Sequence, residues 1–103
     1  MTTSTLTIHG TSVAAGAHFD VVNPSTARAF AKAPQCSASQ LDTAMESASQ
    51  AFARWRNADL PTRQNALDRV AALTLDAIDE LARLVTLEQG KPLPAARIDM
   101  KQT

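Results

Sequence analysis

A chain of 103 residues suffices for one small domain, in which folding removes about 60 to 70% of the unfolded surface from water. Its apolar fraction is dominated by 20 Ala, and Leu, Ile, Val and Phe together number only 21, so any core it builds alone is thin. Ten basic residues cancel ten acidic ones and neither sign forms a block, which excludes the electrostatic footprint of a nucleic-acid or anionic-membrane binder.

In chain order, Met1 to Thr5 are polar and read as a frayed lead-in. Leu6-Thr7-Ile8 alternates, His9-Gly10 supplies a turn, and Ser12-Val13 follows, which predicts a small hairpin. Phe19 and Val21 alternate with Asp20 and Val22 up to Asn23-Pro24, where a residue without an N–H stops the pairing and ends a second strand. Ala29 to Ala33 make a third short strand, closed by Pro34.

Ser37 and Gln40 have the spacing of a capping box, so a helix should start there. Leu41, Met45, Ala48, Phe52 and Trp55 then fall on one face, read as the face that packs into a core, while Asp42, Glu46 and Gln50 face away. Pro61 suits a first helical turn, and apolar residues from Leu67 to Val85 recur at helical spacing as far as Gly90, as one long helix or two abutting ones. Asp76 and Asp79 could each cap a second start. Gly90 fits the left-handed position that ends a helix, and Pro92 opens a last helix to about Lys101. The expected architecture is α+β: three short strands, then three or four helices, in a sheet whose edges nothing in the chain covers.

Little in the sequence suits direct chemistry. His9, His18 and Cys36 have no ligand spacing among them. The single Cys36 lies between Pro34 and a capping serine and reads as a loop thiol without a base, in keeping with a reducing compartment. His9 reads as a turn residue and His18 as a surface residue at a strand end. With only Gly10, Gly16 and Gly90 there is no Gly-x-Gly-x-x-Gly phosphate loop. Arg63, Asp68, Arg69, Asp76, Asp79 and Glu80 read as a solvated helix face. No segment has the length of a membrane span or the makeup of a secretory signal, so the expected location is cytoplasmic, without nucleic acid or membrane as partner.

The run Leu87-Glu88-Gln89-Gly90-Lys91-Pro92-Leu93 resembles the aldehyde dehydrogenase superfamily. The resemblance extends back through Thr86, Leu84, Glu80-Leu81-Ala82, Ala51-Phe52 and Trp55 to Asn23-Pro24-Ser25-Thr26. In wording, Thr86 to Leu93 looks most like the succinate-semialdehyde branch. Ala33 stands where the family has a valine before its proline, and the family pattern favours a helix break near Ala77. The resemblance implies that residues 1–103 are an N-terminal segment of an α/β, Rossmann-like cofactor domain, with the catalytic and oligomerisation domains absent.

In the full-length family a cysteine thiolate attacks the aldehyde, hydride passes from the hemithioacetal to NAD or NADP, and water activated by a glutamate hydrolyses the thioester. Those catalytic residues match nothing in this chain. Taken alone it is expected to oxidise no aldehyde and to bind no nicotinamide cofactor, the remainder of the enzyme being its natural partner. The resemblance also implies a monovalent cation held by backbone carbonyls just before the Asn-Pro pair and by an acidic side chain before the Gly-Lys-Pro turn. Those positions match Val22 and Glu88, with a further ligand beyond Thr103. Asp99 stands where relatives commonly have the longer Glu. A different reading of the same residues is a stand-alone interaction module whose Leu41 and Leu67 helix faces bind a partner or a second copy.

Overall fold

The structure, a computed structural model, describes residues 2–102. It falls into two compact units, one formed by residues 1–21 and 29–58, the other by 22–28 and 59–103.

In the first unit, β2 (Leu6–Ile8) and β3 (Thr11–Val13) form the expected hairpin, with Ile8 opposite Thr11. Both turn residues have positive φ, 52° at His9 and 73° at Gly10, the geometry that matches the twist of a two-residue hairpin. Thr11 Oγ1 donates to the Ile8 carbonyl at 2.8 Å, and the Thr5 and Ser12 hydroxyls meet at 2.7 Å.

A second sheet has the order β1-β5-β4, with β1 at Thr2–Thr3, β4 at Ala17–Asn23 and β5 at Arg28–Gln35. Thr2 and Thr3 were expected to fray. They instead run parallel to β5, opposite Ala31 and Lys32, and the Ser4 N–H extends the ladder to the Lys32 carbonyl at 3.1 Å. Met1 lies outside the described residues. Four residues join β4 to β5, too few for a parallel crossover, so these neighbours are antiparallel. The third strand was expected to close at Pro34 but runs through it to Gln35. The β1 pairing reaches only Lys32, so a residue without an N–H falls where that side of β5 has no partner strand.

Helix α1 (Ala38–Trp55) starts at the predicted capping box: Gln40 N–H donates to Ser37 Oγ, and Ser37 N–H donates to Gln40 Oε1. The same Gln40 amide donates through Nε2 to the Ala14 carbonyl at 2.9 Å, joining the helix start to the chain leaving β3. The packing face of α1 differs from expectation. Gln40, Ala44 and Ser47 are its less exposed positions, and β2 is the strand beside it. The predicted core face lies open, with Leu41 at 54%, Met45 at 63%, Phe52 at 60% and Trp55 at 45% exposure. The hairpin that α1 meets is small, and short side chains allow it to lie close.

In the second unit, α2 (Leu60–Asp76) starts at Asp59, whose carboxylate accepts from the Thr62 N–H at 3.0 Å, with Pro61 in the first turn. The helical run breaks at Ala77, and α3 (Ile78–Gln89) follows. Neither Asp76 nor Asp79 caps α3, because Ala77 itself occupies the N-cap without a side-chain bond. Gly90 closes α3 in the left-handed conformation at φ 71°, its N–H bonded to the Thr86 carbonyl at 2.9 Å. Helix α4 (Leu93–Gln102) begins its ladder at the Pro92 carbonyl.

Helices α3 and α4 are the most closely packed pair, and each carries one fully buried residue, Ala82 and Ala96 respectively. Methyl-sized side chains let two helix axes approach. Arg97 Nη2 and Asp79 Oδ1, 2.5 Å apart, tie the two helices, so Asp79 is an ion-pair member rather than an unattached surface charge. With Ile8 in the first unit, these alanines make up the buried apolar set among the described residues, as thin as the composition implies.

Candidate functional site

The segment with the most distinctive sequence also has the most specific local geometry. Asn23 ends β4 and folds the chain back on itself. Its Oδ1 accepts from the Ser25 N–H at 2.9 Å, and its carbonyl accepts from the N–H groups of Thr26 and Ala27. A Cβ at Gly90 would stand 3.2 Å from Pro24 Cγ and 3.9 Å from Ser25 Oγ, so the C-terminal end of α3 lies directly against this turn. Residues 24 and 25 thus lie beside residue 90 although 65 positions separate the nearest pair.

Beyond Gly90, the Lys91 ammonium pairs with the Asp99 carboxylate and ties the turn to α4. The shorter Asp99 therefore makes a contact within the segment itself. Val22 is the penultimate residue of β4 and is half exposed. Glu88 is exposed in the last turn of α3. Both belong to the second unit, and the helix end contributes partial negative charge near Glu88.

The other sequence candidates lead away from catalysis. Cys36 is exposed, its Sγ donates to the Ser37 carbonyl at 3.5 Å, and it borders an open hollow with Gly16, Ala17, Gln35 and Ser37, none of which is a base. His9 pairs through Nδ1 with Ser47 Oγ at 2.8 Å, a contact that fastens the hairpin turn to α1 and that no sequence spacing announces. His18 is exposed in β4. Lys32 and Asp20, 2.7 Å apart, bridge β4 and β5. Among the described residues no three of His, Cys, Asp and Glu come together as a metal cluster.

A phosphate cradle is likewise missing from the geometry of α1 to α3. The α1 N-terminus is occupied by its own capping box, the α2 N-terminus by the Asp59 carboxylate, and the first turn of α3 by Asp79 and Glu80. Carboxylates at two of these positions repel an anion. Hydrogen bonds from the Thr62 side chain, and then from its backbone N–H, hold Asp59 below its ordinary carboxylate value, so it is charged at neutral pH. These residues do not fit a dinucleotide pyrophosphate.

The model of the aldehyde dehydrogenase family matches residues 11–103, nearly the whole chain. The chain belongs to the aldehyde dehydrogenase family. Malonate-semialdehyde dehydrogenase 3 of Geobacillus kaustophilus is 46% identical over 71 residues, which are 69% of this chain and 15% of that protein. The crystal structure of an NADP-dependent enzyme of E. coli superposes with a TM-score of 0.88 at 32% identity, covering 95% of this chain and 21% of that one. The structure of a 3,6-anhydro-L-galactose dehydrogenase in complex with NAP superposes with a TM-score of 0.82 at 28% identity, covering 96% and 21% respectively. The α+β arrangement is that of the N-terminal part of the aldehyde dehydrogenase fold, and the chain spans 15 to 21% of the length of these relatives.

Proposed function

We propose that residues 1–103 serve as the N-terminal segment of the cofactor-binding domain of an NAD(P)-dependent dehydrogenase that oxidises a semialdehyde to its carboxylate. The observation that carries this reading is the family match over residues 11–103 in a fold that superposes almost entirely on an NADP-dependent enzyme. Malonate semialdehyde is the substrate class to test first, since the Geobacillus relative bears that name and is 46% identical where it matches. The contribution of this chain is structural. It supplies β-strands and a helical unit on which a cofactor domain is built, and neither a nucleophile nor a phosphate loop.

The test is to co-express the chain with the Geobacillus polypeptide lacking its matching segment, and to follow reduced nicotinamide with malonate semialdehyde and each cofactor, with water alone and with an added thiol as acceptor of the acyl group. Turnover requiring both pieces is the expected result. Turnover by the 103-residue chain alone, above a heat-killed control, overturns the structural role.

Within that reading we propose that the Val22 carbonyl and the Glu88 carboxylate contribute to a monovalent cation site. The contact of Gly90 with the Asn23–Ser25 turn supports it, because it brings the end of α3 beside the end of β4, and hard oxygen ligands suit such a cation. In the reconstituted enzyme, Glu88→Gln should weaken the dependence of thermal stability on potassium relative to a bulky organic cation. An unchanged dependence removes Glu88 from the site.

A further inference from the structure

We draw no further inference here: the strongest candidate, the open hollow that Cys36 borders with Gly16, Ala17, Gln35 and Ser37 ahead of helix α1, rests on a lone exposed thiol, and nothing in the structure shows what would occupy it.

Discussion

At Gly90 the backbone holds φ 71° and the space where a Cβ would stand is limited by Pro24. Gly90→Ala therefore meets a left-handed conformation costing about 1–2 kcal/mol, with a further push against the proline ring, and chemical denaturation should show a loss of at least that size. At Ser37 the stake is a reciprocal pair of hydrogen bonds, and Ser37→Ala should destabilise α1 by about 1 kcal/mol. Asp59 adds a pH dependence with a definite sign. Its folded-state value is depressed by Thr62, so its contribution is present above the ordinary carboxylate value and disappears as the pH falls through the folded one. Helicity of α2 should decline on acidification below about pH 4, and Asp59→Asn, which keeps a capping oxygen, should remove that part of the titration.

Among the elements, α3 and α4 depend on the small size of Ala82 and Ala96 at 0% exposure. Ala82→Leu should force the helices apart at a cost of about 1–3 kcal/mol, whereas Arg97→Ala, which breaks an exposed ion pair, should change stability by less than about 1 kcal/mol. Urea unfolding of the two variants compares them directly. The elements legible in the sequence were those set by neighbours in the chain: the His9-Gly10 hairpin, the Ser37–Gln40 start and the Gly90 stop. The break at Ala77 came from the family resemblance, since the periodicity alone left one helix or two. What escaped was non-local. The pairing of Thr2–Thr3 with β5 depends on residues 29 positions away, and the capping potential of Asp76 and Asp79 was not used because the break fell between them. The helical period of α1 correctly identified an apolar stripe, but periodicity cannot tell whether a stripe meets this chain or another. For the proposed cation site, Val22 and Glu88 come from the resemblance alone, and the fold adds only the close approach of Gly90 to Pro24.

Among the described residues, 14 large apolar side chains stand exposed. They include Leu60, Leu67, Val70, Leu73 and Leu75 along α2, a helix with no buried residue. Thermal unfolding of the chain alone should therefore be broad, with a van't Hoff enthalpy that differs from the calorimetric one, because each of the two small units buries few large apolar side chains of its own. A sharp two-state melt is the contrary result. Isothermal titration with NAD and NADP should give no heat of binding for this chain by itself, in line with helix starts occupied by their own caps and carboxylates.

The two-residue strand at Thr2–Thr3 carries no buried side chain, yet it decides which strand borders solvent. With it in place, β5 is the middle strand of three. Deleting the first four residues would leave the Ala29–Ala33 stretch with a row of open amide and carbonyl groups, available to any other extended chain. A trimmed N-terminus should thus reveal itself as accelerated amide exchange along β5 and a concentration-dependent tendency to form β-rich aggregates, long before it registers as lost packing.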